Sequence, residues 1–120
     1  MAAGRVTPIL RIFDLPKALE FYLGFLGFRE DWRHQFAPDL PLYLQISRDG
    51  AALHLSEHHG DGSPGAKVRV EVGDVDALCG ELVAKNYRYA RPAVEATGWK
   101  TRETTIKDPF GNQLVFWAPC

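Results

Sequence analysis

Arg11 to Phe28 reads RIFDLPKALEFYLGFLGF, and the same pattern returns sixty residues later in EVGDVDALCGELVAKNYR, from Glu71 to Arg88. Each copy runs from an apolar stretch into an aspartate, Asp14 or Asp74, and then into a segment with apolar residues at helical spacing. Aspartate is a preferred residue at the N-cap of a helix. The pattern therefore predicts two equivalent helices, each entered from a strand.

A second correspondence lies further along the chain, at a spacing of 61 residues. The stretch GAALHL at 50–55 matches the stretch GNQLVF at 111–116. Two half-length copies predict two similar modules related by a pseudo-twofold axis. Such a pair leaves a cleft between its sheets, and a cleft is where a small-molecule site is expected.

Composition narrows the class of protein. The 120 residues suit one domain, and a hydrophobic content of 46% is enough for a real core. The net charge is -1 with no basic stripe, which argues against nucleic acid as a partner. Cys79 and Cys120 form no disulfide framework and no zinc motif, as is typical of a reducing cytosol. Since the N-terminus lacks the pattern of a signal peptide and no apolar run reaches transmembrane length, we expect a cytoplasmic protein without a membrane partner.

The order of strands and helices predicts an α+β fold. Asp14 and Asp74 are expected to cap the two helices, and Gly27 is expected to end the first. Each module then reads βαβββ, so that two modules in tandem, at about 5–57 and 66–119, form a curved mixed sheet around a cleft within one domain, 1–120. The predicted strands are Val6 to Ile12, Phe28 to Trp32, Leu42 to Ser47, Ala51 to Ser56, Lys67 to Val72, Tyr87 to Ala93, Trp99 to Ile106 and Gln113 to Ala118.

Two short segments supply the connections. Asp49-Gly50 is a strong signal for a two-residue hairpin turn. The stretch EHHGDGSPG, from Glu57 to Gly65, is rich in Gly, Pro and Asp and is the best candidate for the linker between the modules.

The repeated unit, together with DLPKALEFY at 14–22 and DPFGN at 108–112, resembles the vicinal oxygen chelate superfamily. This superfamily holds glyoxalase I, extradiol dioxygenases, fosfomycin-resistance thiol transferases and bleomycin-resistance proteins. The resemblance covers nearly the whole chain and implies the paired βαβββ fold. It does not decide the function, because the same fold serves both enzymes and binding proteins.

In the metalloenzymes of this superfamily, side chains from the first and last strand of each module converge on one divalent ion. Counted along the repeat, the corresponding positions are Thr7, His54, Lys67 and Val115. Only His54 is a competent ligand, whereas a catalytic metal usually needs three protein ligands. The sequence therefore predicts no metal and no cofactor. A metal-dependent glyoxalase-like lyase or thiol transferase, built on His54 and ligands at other positions, is the alternative.

A metal-free member of this superfamily resembles the bleomycin-resistance branch, whose proteins bind the drug without modifying it. The resemblance implies a homodimer with a ligand groove at each dimer crevice and with a first strand that can be exchanged between subunits. Pro8 suits an edge or an exchanged strand better than a central one. The expectation is an antibiotic-sequestering protein that is not an enzyme. A third hypothesis is that the protein is a metal-free relative that binds an unknown metabolite.

Aromatic side chains are the candidates for stacking on a flat ligand. Trp32, Phe36 and Trp99 lie near the places where the branch has aromatics, and rigid π faces suit a planar heteroaromatic group. The alternative is that Trp32 belongs to the core and that Trp99 only caps a loop, since large aromatics are usually buried.

Polar candidates accompany them. Asp31 and Ser56 are predicted to hydrogen-bond the ligand, and His54, which shares a strand face with Ser56, is predicted to form a polar wall of the groove. A solvated surface charge is the alternative for Asp31, and a partly buried core residue or a remnant metal ligand is the alternative for His54. The neighbouring His58 and His59 are read as exposed loop residues.

Arg69 is the basic candidate. It shares a strand face with Lys67 and Glu71, so the groove is predicted to be partly basic, which departs from the acidic binders of a cationic drug. This leaves room for an anionic ligand. Glu103 is predicted to form a salt bridge with Arg69, Arg102 or Lys67 in preference to acting with Glu71 in acid–base chemistry.

Overall fold

The computed structural model describes residues 2–120 as two βαβββ modules. No helix within these residues is long and apolar enough to cross a bilayer. The first module consists of β1 (Ile9–Arg11), α1 (Leu15–Leu19, continued as a π-helix over Glu20–Phe25), β2 (Arg29–Gln35), β3 (Leu42–Arg48) and β4 (Ala51–Ser56). The second consists of β5 (Lys67–Glu71), α2 (Val75–Ala84), β6 (Glu95–Ala96), β7 (Thr101–Lys107) and β8 (Gln113–Pro119).

Each module contributes one four-stranded mixed sheet. The strand orders are β1-β4-β3-β2 and β5-β8-β7-β6. The first strand of each module runs parallel to the last, and the other pairs are antiparallel. The predicted α+β class and the tandem βαβββ architecture are confirmed.

Both helices begin as the repeat predicts. The Lys17 N–H donates to the Asp14 carboxylate over 3.0 Å, and the Ala77 N–H donates to the Asp74 carboxylate over 3.0 Å. In each case the capping residue is extended and its side chain satisfies an amide that the first turn leaves without a partner. Gly27, with a φ of 77°, lies just beyond the end of the first helix, in the left-handed region that glycine adopts without strain.

The predicted turn and linker are confirmed, whereas three strand predictions are wrong in extent or place, and one of these is β2, which runs to Gln35, three residues beyond its predicted end. Arg48 pairs with Ala51 across the two-residue turn, and residues 57–65 form neither helix nor strand. The first strand begins at Ile9, three residues later than predicted. Residues 87–93 form no strand, and the Tyr87 ring within them stacks on Phe25 at 4.6 Å, which packs the start of this segment on α1.

One hydrophobic core joins the modules. Aromatic side chains of α1 pack in the same cluster as apolar residues of β7 and β8. The Tyr22 hydroxyl donates to the Asp108 carboxyl over 2.7 Å within this core. One face of each sheet is therefore buried against helices, and the opposite faces are left to present polar and aromatic side chains. The shared core contains Phe21, Tyr22, Phe25, Leu44, Ile46, Leu53, Leu55, Ile106, Leu114 and Phe116.

Candidate functional site

The first sheet presents an aromatic and polar surface on the side away from the core. Because side chains alternate along a strand, Tyr43 and Gln45 of β3 point away from the buried Leu44 and Ile46. His54 of β4 lies opposite Gln45 in the register and projects to the same side. This surface, which we call the first face, consists of Asp31, Trp32, Tyr43, Gln45 and His54.

The rings of the first face pack against one another. Trp32 and Tyr43 stack at 6.1 Å with an interplanar angle of 14°, and His54 meets both rings edge-on. Trp32 nevertheless keeps 44% of its surface exposed. The alternative that Trp32 belongs to the core is therefore wrong, and its ring is packed on one side while remaining accessible to a ligand.

A line of hydrogen bonds runs across the first face. The Tyr43 hydroxyl lies 2.6 Å from His54 Nδ1, and His54 Nε2 lies 2.9 Å from Gln45 Oε1. Gln45 Nε2 donates to Asp31 over 3.0 Å. Hydrogen bonds from Gln45, Ser47 and Arg29 lower the pKa of Asp31, and burial lowers the pKa of His54. At neutral pH the line therefore joins an ionised carboxylate to a neutral imidazole.

Two other predicted residues lie at the end of this sheet. Phe36 follows β2, is 74% exposed, and contacts His34 edge-on at 4.5 Å and His58 at 6.3 Å. Ser56 is fully buried, and its hydroxyl donates to Asp61 over 2.9 Å while accepting from the His58 N–H over 3.0 Å. Ser56 therefore shapes the segment after β4, and its hydroxyl is not presented to a ligand.

The second sheet carries a separate cluster on its outer side. Arg69 and Glu103 form a two-pronged ion pair, with distances of 3.2 and 2.7 Å, so that Arg69 is the partner among the three basic residues that the sequence left open. Trp99 Nε1 and the Thr101 hydroxyl donate to the same carboxylate over 3.1 and 2.7 Å. The Arg69 guanidinium also lies 5.4 Å from the Trp117 ring. This surface, which we call the second face, consists of Arg69, Trp99, Thr101, Glu103 and Trp117.

Glu103 holds the indole of Trp99 in place. Hydrogen bonds from Arg69, Thr101 and Trp99 lower the pKa of the Glu103 carboxyl to about 2. The Trp99 ring is 66% exposed, so its anchored edge leaves a large aromatic face open. Trp99 therefore does more than cap a loop, since its exposed ring is fixed in orientation by an ionised partner.

The second face predicts a pH dependence of stability. Because the pKa of Glu103 is lower in the folded chain than its ordinary value of 4.5, the carboxylate stabilises the fold above pH 4.5, and this contribution is lost as the pH falls toward about 2. Glu103→Gln is expected to flatten the fall in melting temperature over this range, measured by circular dichroism. An unchanged slope in the variant would contradict the assigned role of the carboxylate.

The two faces are not in contact with each other. Within residues 2–120, no hydrogen bond, ion pair or aromatic contact joins a residue of the first face to a residue of the second. A cavity of about 690 Å³ lies between the β3–β4 turn, β5 and the start of α2. Arg69 of the second face lines it, whereas no residue of the first face does.

The strand register shows what lies opposite the predicted metal positions on β4 and β8. Ile9 pairs with His54, and Arg69 pairs with Val115, so that the partners on β1 and β5 lie two residues beyond Thr7 and Lys67. Among the four paired residues, only His54 carries a metal-binding donor. Among residues 2–120 there is no group of three His, Cys, Asp or Glu side chains placed to hold an ion. The donor set does not fit the divalent metal of the superfamily's enzymes.

The structure thus brings the predicted residues into two groups and adds others. Asp31, Trp32 and His54 meet on the first face, whereas Arg69 and Trp99 meet on the second. Tyr43 and Gln45 were not predicted. Their alternation with Leu42, Leu44 and Ile46 was the available signal, because it places both on the side of β3 away from the core.

A family model described as "Glyoxalase superfamily protein" matches residues 1–119. A search of curated proteins finds no match. Among solved structures, a bleomycin-binding protein complexed with bleomycin is similar at a TM-score of 0.77 and 17% identity, covering 98% of this chain and 100% of the other.

Two further structures show higher identity. One is the bleomycin-binding protein of bleomycin-producing Streptomyces verticillus, complexed with copper(II)-bleomycin. It is 26% identical and has a TM-score of 0.72, and the match covers 100% of this chain and 99% of the other. TnmS3, an antibiotic binding protein from Streptomyces sp. CB03234, is also 26% identical, with a TM-score of 0.74 and the same coverage. Similar structures therefore include proteins described as binding antibiotics.

Proposed function

The chain belongs to the glyoxalase superfamily, and we propose that it is a metal-independent binding protein that sequesters a planar, polar antibiotic of the bleomycin type. The antibiotic-binding proteins among the similar structures support this reading over catalysis. The donor set on the first and last strands of the two modules supports it as well, since a lone histidine does not hold a catalytic metal.

The observation that carries the proposal is the set of exposed but anchored aromatic rings. Large apolar side chains that stay open to water in a chain with a well-formed core commonly mark a binding surface. Trp32 is held by stacking on Tyr43, and Trp99 is held by its hydrogen bond to Glu103. Rings fixed in this way lose little conformational freedom when a flat ligand stacks on them.

A homodimer completes the proposed groove. Within residues 2–120 the two faces do not touch, so each offers only one wall to a ligand. A second copy that brings its second face opposite the first face of its partner gives two equivalent grooves, each with aromatic side chains on both walls. Exchange of the first strand between subunits is part of the proposal, and the 89% exposure of Val6 and the position of Pro8 just before β1 suit it.

The polar side chains of the two faces already have hydrogen-bond or ion-pair partners within the protein, which suits ligand binding better than acid–base catalysis. Glu103 is ion-paired and has a pKa of about 2, so it is a poor general base. The Nδ1 of His54 is engaged by Tyr43, and its Nε2 is engaged by Gln45. A glyoxalase-like lyase or thiol transferase would instead need metal ligands, and stoichiometric metal that survives dialysis of the purified protein would favour that alternative.

A fluorescence titration tests the proposal directly. The chelator-treated protein is titrated with metal-free bleomycin while tryptophan emission is recorded. Because Trp32, Trp99 and Trp117 all lie on the two faces, saturable quenching at one ligand per chain is the expected result. Light scattering on the same sample should give a dimer. Emission that stays unchanged up to high ligand concentration would contradict bleomycin sequestration.

A further inference from the structure

We propose that the Tyr43 hydroxyl is the hydrogen-bond acceptor by which the first face selects ligands that present an N–H donor, such as an amine on a planar aromatic ring system. The inference rests on the proposed binding function and specifies the ligand chemistry that this function requires. It depends on the direction of each hydrogen bond between Asp31 and Tyr43, which the contacts determine one after another.

Asp31, at one end of the line, determines which group donates in the next hydrogen bond. An ionised carboxylate can only accept hydrogen bonds, and Asp31 accepts from Ser47, Arg29 and Gln45. The Gln45 side chain must therefore turn its NH₂ group toward Asp31, at 3.0 Å. Its carbonyl oxygen is then left to face His54.

Gln45 in turn fixes the tautomer of His54. A carbonyl oxygen cannot donate, so the 2.9 Å contact with Gln45 Oε1 requires a proton on His54 Nε2. In the neutral imidazole the other nitrogen, Nδ1, then has no proton and acts as an acceptor. The orientation of one amide thus decides which nitrogen of the ring carries the proton.

His54 finally determines where the hydroxyl proton of Tyr43 points. The 2.6 Å contact with an unprotonated Nδ1 requires the Tyr43 hydroxyl to donate. Its only proton is then used within the face, and the lone pairs of its oxygen are left as acceptors. Within residues 2–120 no other group hydrogen-bonds this oxygen. Because Tyr43 is only half-buried beside the Trp32 ring, a ligand that lies on the tryptophan can reach it.

Such an oxygen discriminates between ligand groups. An N–H directed at it gains a hydrogen bond, whereas a carbonyl or carboxylate there is repelled by the lone pairs and remains without a donor. Asp31 adds no net charge to this preference, because its carboxylate is ion-paired with Arg29 at 3.1 Å. The first face therefore favours an amine-bearing aromatic ligand through the Tyr43 oxygen, even though Arg69 on the second face is basic.

The experiment compares two planar probes that differ in the group they present. Binding of 9-aminoacridine and of acridine-9-carboxylate to the full chain is measured by tryptophan quenching, next to metal-free bleomycin. The wild-type protein is expected to prefer the amine. Tyr43→Phe should weaken amine binding about 3- to 10-fold, the scale of one hydrogen bond, and leave carboxylate binding unchanged or slightly tighter.

A matched control is Tyr89→Phe, which removes a hydroxyl from an exposed tyrosine of neither face and should leave both affinities unchanged. Circular dichroism confirms that each variant is folded. If bleomycin and the amine bind and Tyr43→Phe weakens neither, the role of Tyr43 is wrong while the proposed function stands. If neither bleomycin nor either acridine binds the wild-type protein, both proposals fail together.

Discussion

Replacing Asp108 by alanine is expected to lower the free energy of unfolding by about 3 to 5 kcal/mol, because the change leaves several buried donors without an acceptor. One carboxyl oxygen accepts from the backbone amides of Phe110 and Asn112, each at 2.8 Å. The other accepts from the Tyr22 hydroxyl at 2.7 Å and the Asn112 side chain at 2.8 Å. Chemical denaturation monitored by circular dichroism measures the loss.

The network around Asp108 also joins the modules, so the variant should lose cooperativity between them. The Asn112 side chain donates to the Arg11 carbonyl over 2.9 Å and accepts from the Ala66 N–H over 3.2 Å. Tyr22→Phe removes a single bond of the network and should cost about 1 to 2 kcal/mol. The exposed Asp39→Ala serves as the control, with a change within about 0.5 kcal/mol. An equal effect of Asp108→Ala and Asp39→Ala would show that the network does not stabilise the fold.

Trp99→Ala is expected to weaken binding of metal-free bleomycin by about 1 to 3 kcal/mol, or about 5- to 150-fold in dissociation constant, on the scale of aromatic stacking. The variant removes an exposed ring that Glu103 holds in a fixed orientation. Trp32 and Trp117 remain as fluorescent reporters, so the same titration measures the affinity. Trp99→Phe should keep part of the affinity, since it retains a π face but loses the bond to Glu103.

The control for this change is Tyr89→Ala, which removes an equally exposed ring that belongs to neither face. Its affinity for bleomycin should match that of the wild-type protein. If Trp99→Ala binds as tightly as this control, Trp99 is not a stacking surface, and the ligand wall must lie elsewhere on the second sheet.

Local chemistry explains why the sequence predicted most of the fold. The N-caps Asp14 and Asp74 and the turn at Asp49-Gly50 act within a few residues, so their patterns are visible in the chain itself. The segment 87–93 shows the opposite case. Its residues are compatible with a strand, but the structure has none there, and Tyr87 stacks instead on Phe25, which lies in a distant part of the chain.

The DPFGN motif at 108–112 has one role that the sequence predicts, a turn, and a second role that it does not predict, a connection between the modules. The sequence predicts a turn there, and the structure has one between β7 and β8. The hydrogen bonds of Asp108 and Asn112 join them to Tyr22, Arg11 and Ala66, which are far away along the chain. No local sequence pattern therefore predicts them. The motif is as much a connection between modules as a turn.

The candidate site also combines features that the sequence determines with features that only the packing of distant segments determines. The sequence by itself determined the repeat, the alternation that keeps Leu44 and Ile46 inside, and the presence of aromatic and polar residues on the opposite side. Only the tertiary structure decided that Asp31, Gln45, His54 and Tyr43 form one directed line of hydrogen bonds, because strand register sets which side chains become neighbours. It also decided that Ser56 is buried and that the two faces are separate, since both depend on how distant segments pack.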